Sequence, residues 1–147
     1  MTLSDILHDS TTQTKVVADC ARLIDCQVAA KTGLGGMALK ATYGMVKSVG
    51  AGYIPSAIGR VLPEVLAALE PMWADGIKTG NPAAYLSQNP DETADVILGV
   101  TDRRIASASN GLVKSSYGKL RQSIKSDVEM AVPGLADIFA AYSVVTQ

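Results

Sequence analysis

LKATYGMVK, residues 39–47, returns as VKSSYGKLR at residues 113–121, so that Lys40, Tyr43 and Gly44 fall on Lys114, Tyr117 and Gly118. Self-similarity of this kind marks a repeated structural unit. Downstream, Ile54, Ile58, Leu62, Pro63, Val65 and Leu69 fall on Ile124, Val128, Val132, Pro133, Leu135 and Phe139. Upstream the match is looser but keeps the apolar face: Cys20, Leu23, Asp25, Val28 and Ala29 fall on Ile97, Val100, Asp102, Ile105 and Ala106. Three blocks in one order predict an internal duplication, with copies at 14–73 and 91–143 and a linker at 74–90. The first copy is longer at Gly33-Leu34-Gly35-Gly36 and around Gly50-Ala51-Gly52-Tyr53, which read as helix-ending turns.

Within each copy the apolar residues recur at helical spacing. Val16, Cys20, Leu23, Ile24 and Val28 predict a first helix over 14–31, and Ile97, Val100 and Ile105 its counterpart over 91–109. Second helices are expected at 36–49 and 111–125, third helices at 55–73 and 127–143, and a short one at 83–87 inside the linker. No segment alternates with period two. The predicted fold is therefore all-α: a helical bundle made from two copies of a three-helix unit related by a pseudo-twofold. A unit of about sixty residues is marginal alone, so the copies are expected to share one core as a single domain, 1–147. Pro63 and Pro133 each remove a backbone donor and crowd the preceding turn, which predicts a kink or a helix start at both.

Composition narrows the function classes. Of 147 residues 48% are hydrophobic, and the net charge is -1, which gives no overall electrostatic reason to expect nucleic acid or an anionic membrane as an obligatory partner and leaves room only for a weak or local basic patch. The first ten residues carry Asp5 and no cationic, apolar leader, so no signal peptide is expected. The longest uncharged internal run, 48–59, is too short to span a bilayer and is broken by Gly50, Gly52 and Pro55. A soluble, cytoplasmic protein is the expectation. Cys20 and Cys26 stand about 240° apart around one helix and so cannot pair with each other; Cys20 is expected in the core and Cys26 outside. With His8 the one histidine, no zinc site is expected, and no cofactor can be named.

The candidate binding residues are the repeated ones. Lys40, Tyr43 and Lys47 share one helix face, as do Lys114, Tyr117 and Arg121. A phenol beside cations suits a phosphate or carboxylate. The structural alternative has the tyrosine rings packed at the core rim, the basic ends in water, and Gly44 and Gly118 letting the two second helices cross closely. Asp25 and Asp102, with Arg22 and Arg103 or Arg104 nearby, read as surface ion pairs without functional weight.

Several strings imitate enzyme motifs. Tyr43 and Lys47 form a YxxxK, Ser116 and Lys119 an SxxK, and KTG occurs at 31–33 and 78–80, but none sits in the strand context its chemistry needs. No general acid-base pair and no catalytic residue is expected. The sequence favours a non-catalytic helical binding or interaction module that self-associates, partly through the weakly charged stretch 130–147. The alternative is a carrier or sensor of an apolar or amphipathic small molecule held between the repeats, with the basic phenolic faces binding its polar head.

Overall fold

The computed structural model describes residues 3–50, 52–109, 111–121 and 123–145, with only the backbone of residues 120, 144 and 145. The described residues are helical almost throughout and include no strand. A 3-10 helix, Leu3–His8, precedes α1 (Ser10–Ala30), α2 (Gly33–Lys47), α3 (Tyr53–Thr79), α4 (Pro82–Gln88), α5 (Pro90–Ala106), α6 (Gly111–Arg121) and α7 (Ile124–Val145).

Local chemistry sets the helix ends. Asp9 caps α1, its carboxylate accepting from the Thr11 N–H and from the Thr12 hydroxyl at 2.8 Å. Asn81 caps α4 by accepting from the Ala84 N–H at 3.0 Å, and Pro82 fills the first helical position. The segment expected as a linker is mostly helical: α3 runs on to Thr79, stops at the left-handed Gly80, and hands over to α4. The Gly33-Leu34-Gly35-Gly36 joint opens α2 rather than ending a helix, while Gly52, at φ 75°, begins α3. The expected second helix at 111–125 crosses residue 122, outside the described residues; α6 ends at Arg121 and α7 starts at Ile124.

Pro63 and Pro133 lie inside continuous helices and start neither; Pro71 is a third such residue. Each leaves the carbonyl four residues earlier, at Gly59, Glu129 and Ala67, without its helical donor.

One hydrophobic cluster draws on both halves of the chain. Val16 and Cys20 of α1, Leu62 to Trp73 of α3, Leu86 of α4, Val100 of α5 and Val132, Ala136 and Phe139 of α7 all belong to it. Leu3 and Ile6 of the 3-10 helix complete it, and the Leu3 N–H donates to the Glu70 carboxylate at 2.8 Å. α1 packs on α7 and α3 on α5, while α4 and the 3-10 helix each touch both α3 and α7. Tyr142 donates to Asp19 at 2.6 Å across α1 and α7, and Arg104 pairs with Glu64 at 2.6 Å across α3 and α5. Neither α2 nor α6 contributes to this cluster; the two pack against each other and form a layer beside it.

Candidate functional site

All six residues singled out in the sequence lie on that outer α2–α6 layer. The Tyr43 hydroxyl donates to Asp25 at 2.5 Å, and the Lys47 ammonium lies 3.6 Å from the same carboxylate and 5.2 Å from the Tyr43 ring centroid. On the other helix pair, Tyr117 donates to Asp102 at 2.5 Å while Arg121 grips both carboxylate oxygens at 2.8 and 3.0 Å. Thr101 adds a hydroxyl contact to Tyr117 at 2.8 Å. The carboxylates thus occupy the phenols and the second cation of each face. Their expected arginine partners are elsewhere: Arg22 pairs with Asp19, and Arg104 with Glu64. Lys40 and Lys114 remain exposed, with no carboxylate partner among the described residues.

These trios hold helices together and disfavour proton transfer. Burial, then the hydrogen bond to Asp102, pushes the Tyr117 phenol up to about 12, and burial with Asp25 raises Tyr43 likewise. A tyrosine serving as a base near neutral pH needs the opposite shift. Arg121 holds the Asp102 carboxyl below the usual carboxylate range.

The glycine crossing expected at Gly44 and Gly118 is absent. α2 and α6 do pack, but a Cβ built on either glycine meets nothing within 4 Å, so both face open space. The helices turn Leu39, Thr42, Val113 and Ser116 inward instead. Glycine is required by close approach at two other places. A Cβ on Gly36 would run into the Lys31 carbonyl oxygen, and one on Gly76 would stand 2.6 Å from the Pro82 Cα where α3 meets α4.

The outward face of α2 carries the exposed apolar surface. At about 100° per residue, Leu34, Met37, Ala38, Ala41 and Met45 fall within one stripe opposite the buried side. Leu34 is 86% exposed, Met37 69% and Met45 40%, and on α6 Leu112 is 37% exposed. Elsewhere, an open, apolar cavity of about 200 Å³ is lined by Trp73, Gly80, Asn81, Pro82, Ala83, Ala140 and Ser143. The Trp73 indole N–H is buried without a hydrogen-bond partner among the described residues.

Residues 3–143 match the model of a family described as "Family of unknown function (DUF6918)". The chain belongs to DUF6918. No curated protein and no solved structure matches it.

In this DUF6918 chain the net charge conceals a segregation. No Asp or Glu occurs from Cys26 to Pro63 or from Arg103 to Ser126, yet these stretches hold four and six of the 13 Lys and Arg residues. α2 and α6 therefore bear Lys40, Lys47, Lys114, Lys119 and Arg121 and no acid. Of these, Lys47 and Arg121 are paired with Asp25 and Asp102, leaving Lys40, Lys114 and Lys119 without a carboxylate among the described residues. A charge count by segment, rather than over the whole chain, is the sequence signal that finds this surface. Cys20 is buried, and desolvation pushes its thiol up to about 11; Cys26 is exposed.

Proposed function

We propose that this DUF6918 chain is a non-catalytic helical interaction module whose working surface is the outward face of α2, with α6 beside it. The observation that carries the reading is the exposure of Leu34, Met37 and Met45 on one stripe of a helix that stands outside the main core. Leaving a Leu or Met in water rather than burying it forgoes about 1.5–3 kcal/mol, so the fold gains little from Leu34 and Met37. Replacing both Leu34 and Met37 by Gln tests this. The melting temperature should stay within about 2 °C of the parent, whereas a loss of several degrees would assign the side chains to the fold and sink the reading.

The module is read as two copies of one three-helix unit related by a pseudo-twofold. Three things support this: the helix order α1-α2-α3 and α5-α6-α7, the matched Asp25-Tyr43-Lys47 and Asp102-Tyr117-Arg121 contacts, and the reciprocal packing of α1 on α7 and α3 on α5. In this reading each copy is preceded by a short helix, the 3-10 helix in one case and α4 in the other.

Self-association is assigned to α7, because two copies of the α2–α6 face would set Lys40, Lys114 and Lys119 against each other. Met130 is 71% exposed there, and Asp137 is the one charge between it and Val145; Thr146 and Gln147 of the expected contact stretch lie outside the described residues. Light scattering on the eluting protein at tens of micromolar should give a mass above one chain, shifted toward one chain by Met130→Glu. A strict monomer removes self-association and leaves the α2 surface standing. Two free cysteines suit a reducing, cytoplasmic setting.

The carrier reading has less support. The cavity beside Trp73 is smaller than the roughly 300–1,000 Å³ usual for ligand pockets, and none of Lys40, Tyr43, Lys47, Lys114, Tyr117 or Arg121 lines it. Mass spectrometry of a denaturing extract distinguishes the readings: a stoichiometric small molecule favours the carrier, an empty extract the interaction module.

A further inference from the structure

We infer that the occupant of the α2–α6 face is an anionic lipid bilayer surface, on which the chain docks peripherally with α2 lying in the interface. The inference rests on the interaction reading above and names its partner. No helix of the described residues is long and apolar enough to cross a membrane, so the contact is with the surface.

Charge complementarity decides among occupants. The two packed helices expose Leu34, Met37, Met45 and Leu112 to an apolar phase, and they also carry Lys40, Lys114 and Lys119, which have no carboxylate partner among the described residues. Apolar side chains along one face of a helix with lysines at its flanks, and no acid on either helix, form the pattern that partitions into the headgroup region. A second copy of this chain presents the same cations and is repelled. Nucleic acid is a poorer fit, because the surface sets aliphatic side chains where a phosphate backbone needs donors, and it has no exposed aromatic ring for a base.

The second helix of the other half shows what this position looks like without such a role. In the alignment that places Leu39 on Val113, Ala41 and Met45 of α2 correspond to Ser115 and Lys119 of α6. α6 exposes polar groups there, and α2 exposes a thioether and a methyl. α6 does expose Leu112, opposite Ala38, but Leu34 and Met37 have their counterparts before or at the first residue of α6, so the longer stripe belongs to α2. The acids that reach these two helices, Asp25 and Asp102, are held in pairs with Lys47 and Arg121.

Co-sedimentation of the full chain with vesicles tests the assignment, using phosphatidylcholine alone and phosphatidylcholine with about one third phosphatidylglycerol. Binding is expected on the anionic vesicles and at least about tenfold weaker on the neutral ones. Each lysine near such a surface is worth about a fivefold change, so Lys40→Gln/Lys114→Gln/Lys119→Gln should weaken binding on the order of a hundredfold. Salt at about 1 M, where screening acts within about 3 Å, should release the protein. Leu34→Gln/Met37→Gln should weaken it about tenfold or more with the fold retained by circular dichroism. Absence of binding to anionic vesicles overturns the inference, as does binding unchanged in both variants. Tight binding to a short DNA duplex that ignores Leu34→Gln/Met37→Gln overturns it in favour of a polyanion site. If vesicles are not bound while the Leu34/Met37 variant keeps the parent melting temperature, the bilayer is excluded and the interaction surface stands.

Discussion

Tyr117 shows how one residue can be legible in type and illegible in role. Its recurrence as Tyr43, with a basic residue four positions on, marks a repeated polar arrangement, and the bound anion it suggests is supplied inside the chain by Asp102. Sequence proximity pointed Asp25 and Asp102 to neighbouring arginines on their own helices, whereas the actual partners come from the next helix in the chain. The pH dependence follows from these contacts. The Tyr117 phenol is raised in the folded state, so its contribution is complete below the unfolded value near 10 and is lost as pH rises toward about 12. Tyrosinate absorbance should show this: subtracting the Tyr117→Phe titration from the parent's should leave a step near pH 12, and a step near pH 10 would contradict the buried hydrogen bond. Asp102 is depressed, so its stabilisation is present above about pH 4 and fades as pH falls through its lowered value. Both Asp102 and Arg121 are about two-fifths exposed, so water screens the pair and its contribution is small. Asp102→Asn should flatten the acid limb of a urea stability profile; an unchanged limb would mean that water screens the pair fully.

At the scale of elements, periodicity located α1, α2, α5, α6 and α7 to within about four residues and the start of α3 to within two. Apolar spacing reports burial directly, so α1, α3, α5 and α7 were readable from Val16, Leu62, Val100 and Phe139 and their neighbours. The continuation of α3 through 74–79 was not, because Gly76 and Lys78 resemble a linker in composition; Gly76 is there to let α4 approach. The same ambiguity misplaced the glycine crossing. A mid-helix glycine has two explanations, close packing or tolerance, and spacing alone does not separate them. Gly44→Ala and Gly118→Ala, with open space around the added methyl, are expected to stabilise the protein by up to about 1 kcal/mol each. Gly76→Ala and Gly36→Ala force a methyl against backbone atoms and should cost about 1–3 kcal/mol. Thermal melts of the four variants separate the classes; destabilisation by Gly44→Ala or Gly118→Ala would restore the central crossing.

Across the whole molecule, one core built from both halves leaves α2 and α6 as an outer layer, and that placement gives the charge pattern its meaning. Lys40 stands more than seventy positions from Lys114 and Lys119 in sequence, yet α2 and α6, which carry no acid of their own and hold Asp25 and Asp102 in pairs, pack against each other. The sequence contained both acid-free stretches, but which helices would be neighbours depended on tertiary pairing that no local pattern reports. Amide hydrogen exchange on the full chain, with and without phosphatidylglycerol-containing vesicles, tests most directly whether this face is where the protein works. Slowed exchange confined to α2 (Gly33–Lys47) and α6 (Gly111–Arg121) is the expected result. Protection spread over α7, or none on α2, would contradict it.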